Sequence, residues 1–104
     1  MPKKFKVDIT AAAETDIAEI WDYIAQENSD AATAFILRME EQIGTLESFP
    51  ERCPLIPENE LLSTAYRHLI FGHYRAIFKI IGAQVIIMRV LHGARLLDTG
   101  TLGK

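Results

Sequence analysis

An α+β fold, with two helices on one face of a mostly antiparallel sheet, is what this sequence predicts, and three observations carry the prediction. Three apolar runs rich in β-branched and aromatic residues, at 65–71, 74–81 and 84–91, follow one another closely. Only Gly72-His73 and Gly82-Ala83 separate them, and a two-residue Gly-X connection suits a tight hairpin because Gly reaches the positive φ that such turns need. Upstream, residues 11–48 hold two stretches of helical period, and residues 4–9 alternate as a strand does. The expected order is an N-terminal strand, an antiparallel helical hairpin and a three-stranded antiparallel meander, all in a single domain over residues 1–104.

In the first strand Phe5, Val7 and Ile9 share one side. Thr10 stands at an N-cap position, and the helix after it carries Ala13, Ile17, Ile20, Trp21 and Ile24 as its apolar stripe. Glu14, Asp16, Glu19 and Glu27 are expected to face outward. Asn28-Ser29-Asp30 supplies a stop and a new cap. The second helix is expected from Ala31 to about Ser48, with Ala32, Phe35, Ile36, Met39, Ile43 and Leu46 as its stripe, and Phe49-Pro50 closes it. So short a turn forces the helices antiparallel, and their shared apolar face has only the sheet to cover it.

Residues 50–64 contain three prolines and no period, so an ordered but irregular connection is expected, anchored by Leu61 and Leu62. Past Arg95 the tail has little to pack with.

Charge is unevenly distributed. From residue 65 onward six basic residues face a single acid, Asp98, a net of +5, while residues 1–64 hold five against thirteen, a net of −8; the halves sum to −3. A near-neutral total therefore hides a basic sheet on an acidic remainder. In the middle strand Tyr74, Ala76, Phe78 and Ile80 are expected to face the helices, with Arg75, Ile77, Lys79 and Ile81 facing away. The last strand is apolar in both registers. Arg89 decides it, since an unpaired buried guanidinium costs several kcal/mol, on the order of a lost ion pair. That choice places Arg89, with Val85 and Ile87, beside Arg75 and Lys79 on an outer face suited to docking a partner. The alternative is a face covered by residues 50–64 and the tail, its arginines neutralised by helix carboxylates.

Other chemistry finds little support. His68, His73 and His92 lack zinc-like spacing, the glycines are isolated turn residues, and Cys53 has no intrachain partner, so no metal, cofactor or disulfide is expected. No run approaches the ~18 apolar residues of a membrane span, and no signal peptide is evident. The expected location is the cytoplasm, with no membrane partner.

The text DIAEIWDYIAQENSDAATAF, followed by LESFPERC, RHLIFGHYRAIFKI and VIIMRVLHGARLL, resembles the ParE branch of the ParE/RelE superfamily of bacterial type II toxins, over about residues 5–97. The resemblance implies a RelE/ParE-like fold and a toxin held in a hetero-oligomer by a cognate antitoxin that wraps it. ParE-branch members poison DNA gyrase, whereas RelE-branch members cut messenger RNA in the ribosome. Growth arrest and plasmid stabilisation belong to the same picture. Arg75 matches a strand arginine that the ribonucleases use on phosphate, Arg95 falls near another, and Arg67 lies where they carry a lysine. Their lysine-rich second strand and terminal Tyr are not evident, and a pI near 5.5 disfavours ribosomal RNA. The favoured reading is a gyrase-directed binding toxin without catalytic residues or direct nucleic-acid contact. Arg67, Arg75, Ile77, Lys79, Ile87, Arg89, His92 and Arg95 would then contact antitoxin or target. The alternatives are a ribosome-dependent endoribonuclease using Arg75, His92 and Arg95, and a detoxified homologue that only binds its partner.

Overall fold

The computed structural model describes residues 4–97. Strand β1 (Lys6–Ile9) leads into helices α1 (Ala11–Ala25) and α2 (Ser29–Gly44), and two 3-10 turns (Thr45–Glu47 and Pro50–Arg52) follow. A one-turn helix α3 (Asn59–Leu62) then precedes β2 (Arg67–Phe71), β3 (Tyr74–Ile81) and β4 (Gln84–His92). The sheet order is β1-β4-β3-β2. β2, β3 and β4 form the expected antiparallel meander, and β1 adds to β4 in parallel.

Both helices start on side-chain caps. Thr10 Oγ1 accepts the Ala13 N–H at 3.2 Å, and Asn28 Oδ1 accepts that of Ala31 at 2.9 Å, each satisfying a donor the helix leaves unpaired. The Thr10 hydroxyl also lies 2.9 Å from the Ile87 carbonyl, so the cap fastens α1 to β4. Trp21 Nε1 donates to Thr33 Oγ1 at 3.1 Å and braces the hairpin. Gly72 and Gly82 have φ of 58° and 59°, and His73 and Ala83 are not positive, so both hairpins turn on a left-handed first residue that only glycine adopts without strain.

The main core lies between the helices and one face of the sheet. Ile17, Ile20, Met39, Ile43 and Leu46 meet Phe5, Ala76, Phe78, Val85, Ile87 and Val90 there, with Val7 and Ile9 packed at its margin.

Two expectations about faces are corrected. Val85 and Ile87 do not look outward; both are fully buried in the main core. The reason is a β-bulge: Phe78 pairs with Ile87 but Ile77 pairs with Arg89, leaving Met88 as an extra residue. One inserted residue inverts the alternation. Val85 and Ile87 before it and Val90 after it therefore all reach the helices. Nor does Asp16 face solvent. It is 6 % exposed, and its carboxylate takes the Arg89 Nε and Nη2 at 2.7 Å each, together with the Val90 N–H at 2.9 Å. Arg89 thus belongs to α1 rather than to a patch with Arg75 and Lys79.

The sheet's far face carries a smaller cluster of Ile56, Ile77, Leu91 and Leu97, with Leu62 and Tyr66 against it. Ile56, Leu62 and Tyr66 from the connection, with Leu97, cover this part of the sheet, as the covered-face alternative had it. Leu62 does help to anchor the connection, but Leu61 is 92 % exposed and Ile56 takes the anchoring place. Leu97 is buried, so the tail packs at least this far; its continuation from Asp98 lies outside the described residues.

Breaking a buried ion pair from one side strands a charge, so Asp16→Ala should lower unfolding free energy by about 3–5 kcal/mol in urea titrations. Glu19→Ala, on the exposed side of the same helix, should change it by no more than about 0.5 kcal/mol.

Candidate functional site

On the roofed face the sequence brings together residues far apart in the chain. Alternation in β3 sends Arg75 and Ile77 away from the helices, and their β2 neighbours include His68, the register partner of Ile77. Residues 54–56 run antiparallel along the edge of β2, with Leu55 bridging Arg67, and lead to Glu58. Main-chain hydrogen bonds hold this edge segment in place, His68 N–H to the Pro54 carbonyl at 3.1 Å and Ile56 N–H to that of Tyr66 at 3.0 Å. Asn59 secures its far end, donating to the Tyr66 carbonyl and accepting the Tyr66 N–H, both at 2.9 Å.

This arrangement delivers the Glu58 carboxylate to the Arg75 guanidinium. Glu58 is 6 % and Arg75 3 % exposed. Arg75 Nη1 donates to Glu58 Oε1 at 3.1 Å and Nη2 to Oε2, a bidentate pair. Around that pair Nη2 also reaches the Arg95 carbonyl at 2.8 Å, Nη1 lies 3.2 Å from His68 Nδ1, and Glu58 Oε2 accepts the Leu97 N–H at 2.9 Å. The guanidinium's hydrogen bonds hold the Glu58 carboxyl down at a pKa of about 2, against the opposing effect of burial. Burial, reinforced by the charge of Arg75, lowers the pKa of His68, so its ring is neutral near pH 7. A neutral ring that receives Arg75 at Nδ1 carries its proton on Nε2.

The sequence-predicted residues are dispersed around this clamp. Ile77 and Ile87 are fully buried, on the far and helix faces respectively, and Arg75 is enclosed, so these three present no surface to a partner. Arg67 is half-buried and spends Nη1 on the carbonyls of Cys53 at 2.6 Å and Glu51 at 3.1 Å. Lys79 is half-buried opposite Ile86. His92 is exposed at the end of β4, its ring stacked 6.2 Å from that of His73, and Arg95 is exposed just beyond. Arg75 and Arg95 do meet, but through the Arg95 main chain.

Sequence reasoning missed Asp16 and Glu58. Asp16 carried a signal, because it falls inside the stripe at three residues from Ala13 and four from Ile20. Glu58 sits in an aperiodic loop beside Glu60, and nothing local distinguishes the two. Among the described residues no group of three or more His, Cys, Asp or Glu side chains is placed to hold a metal ion, and no helix is long and apolar enough to cross a membrane.

The depressed Glu58 pKa sets the expected acid response. Below pH 4.5 the unfolded chain binds a proton that the folded chain refuses until about pH 2, so the pair stabilises fully above 4.5 and progressively less toward 2. The Glu58→Gln variant should be about 3 kcal/mol less stable at pH 7, and should converge on the native chain as the pH falls through that window. Denaturant titrations at stepped pH test it; parallel profiles would contradict the assignment.

The chain was compared with known proteins. No curated protein matches it by sequence. Among solved structures it is similar to a chain of the chromosomal ParDE toxin–antitoxin system from P. aeruginosa, with a TM-score of 0.69 and 18 % identity, covering 86 % of this chain and 97 % of that one. It is also similar to a chain of the RelBE2 toxin–antitoxin complex from Mycobacterium tuberculosis, with a TM-score of 0.53 and 26 % identity, covering 86 % and 98 %. The first likeness concerns the fold. The family described as the ParE toxin of the type II toxin–antitoxin system parDE matches residues 7–97, nearly the full length, and the chain therefore belongs to that toxin family.

Proposed function

We propose that this toxin acts as a binding poison of DNA gyrase, arresting growth and serving plasmid stabilisation, and that a cognate antitoxin neutralises it in the cytoplasm as a hetero-oligomer. Membership of the ParE family supports the target class. The observation that carries the reading over a ribonuclease is the state of Arg75. A phosphate-binding arginine needs free donors facing substrate. Here both terminal nitrogens are committed to Glu58, His68 and the Arg95 carbonyl, and the side chain is 3 % exposed. The ribosome-dependent reading is supported by the likeness to the RelBE2 complex and by the match of Arg75 and Arg95 to arginines of the ribonuclease members.

Antitoxin contact falls to what remains accessible. Lys79 and the exposed Ile81 border the uncovered end of the far face, and His92, Arg95 and the exposed Leu96 stand at the opposite end of β4. Those side chains mix apolar area with positive charge, which favours an acidic, amphipathic partner segment.

Purified toxin should inhibit supercoiling by gyrase, and its induction without antitoxin should give filamentation and an SOS response. Message cleavage on purified ribosomes with gyrase unaffected would overturn the proposal, and normal growth would leave only an antitoxin-binding homologue. Arg95→Glu should weaken antitoxin binding by about tenfold while leaving the unfolding midpoint in place.

A further inference from the structure

The helix layer carries an apolar groove of about 290 Å³, lined by Ile9, Ile17, Ala18, Trp21 and Ile36 and joined by the carboxylates of Glu14 and Glu40. It opens where α1 and α2 meet β1, the outermost strand of the sheet. Because the helices run antiparallel, Glu14 in the first turn of α1 and Glu40 near the end of α2 stand toward the same end of the groove. Trp21, bonded to Thr33 near the start of α2, stands toward the other.

Both glutamates are exposed, and neither carboxylate has a hydrogen bond or ion pair among the described residues. An apolar trough tipped with two such acids selects a side chain that is aliphatic along its stem and cationic at its head, the build of Lys and Arg. An indole in the lining adds attraction for a cation. The surrounding surface has the same sign. Residues 11–44 hold eight acids against one base, Arg38, a net of −7, and every one of those acids except Asp16 is exposed.

We propose that this groove is the surface through which the toxin engages its target, taking a basic, amphipathic segment whose Lys or Arg stem lies on Ile17 and Ile36 and whose charge meets Glu14 and Glu40. The inference rests on the gyrase reading above. An enzyme that handles DNA presents clustered cations to neutralise phosphates, and a helical layer of uniform negative charge is complementary to such a surface. The cations of the far face favour an acidic partner instead. The two sides of the molecule thus address partners of opposite charge.

The probe is purified gyrase, used as the whole enzyme. Glu14→Arg combined with Glu40→Arg in the full chain should raise the toxin concentration that half-inhibits supercoiling about tenfold or more, and should weaken directly measured binding to gyrase by the same factor. Its melting temperature should stay near the native value. Glu51→Arg combined with Glu60→Arg changes the net charge equally at exposed sites outside the groove, and should leave inhibition and binding near native. No loss in the groove variant, or an equal loss in the control, overturns the inference while the gyrase reading stands. A native toxin that neither binds nor inhibits gyrase overturns both. If the native chain self-associates in sedimentation, and the groove variant is monomeric with full inhibition, the occupant is a second copy and the inference fails. Should the arginine pair not fold, Glu14→Gln with Glu40→Gln is read by the same criteria, with a loss of about threefold expected.

Discussion

Two guanidinium groups lie on the two central strands of a four-stranded sheet, and the rest of the molecule is arranged so that each meets a carboxylate out of water. Arg89 in β4 is held by Asp16 from α1, and Arg75 in β3 by Glu58 from the connection. Neither pair is replaceable by solvent, because an unpartnered charge at such a depth costs several kcal/mol, roughly the scale of a whole domain's margin. Each acid also takes a main-chain N–H, Val90 for Asp16 and Leu97 for Glu58, so each pair fixes backbone as well as charge. The first locks α1 onto the bulge in β4. The second ties β3, the loop and the segment after β4 into one unit.

That division explains what was legible in the sequence. The elements, their order and the two glycine hairpins follow from local chemistry: period, caps and positive φ at Gly72 and Gly82. The main core was legible wherever one phase of a strand was plainly apolar, as in β3. β4 was not readable in this way, because both of its phases are apolar and the side depends on Met88 being one residue too many. Arg89, taken as the fixed point, then set the phase for the whole strand, and Val85 and Ile87 went to the wrong face. A bulge is a tertiary event, bound up here with the Thr10 hydroxyl and the Asp16 carboxylate, both more than seventy residues away.

The charge asymmetry takes a different meaning in the fold. The basic half is not a bare basic surface, since Arg67, Arg75 and Arg89 spend their donors internally on carbonyls and on two acids supplied by the acidic half. Among the described residues of that half, Lys79 and Arg95 remain for contact, at opposite ends of β4 and its neighbour. Nucleic-acid affinity grows with the number of phosphates neutralised together, and the described basic half offers these two cations well apart. It retains apolar residues flanked by single cations, a pattern better matched to a peptide than to a polyanion.

The two faces of the sheet also differ in what holds them. On the helix side, thirteen of the described residues, Phe5 just before β1 together with residues of both helices, Leu46, Cys53, β3 and β4, interlock, and the loss of one contact leaves the others in place. Four buried residues serve the far side, two of them, Ile56 and Leu97, belonging to the cover rather than to the sheet. Alongside the main-chain bonds of residues 54–59 to Tyr66 and His68, the ion pair joins loop to C-terminal segment, because Glu58 takes the Leu97 N–H while Arg75 donates to the Arg95 carbonyl. Coupling between the clamp and the exposed end of the chain follows from shared hydrogen bonds alone, without a change in the helix-backed core.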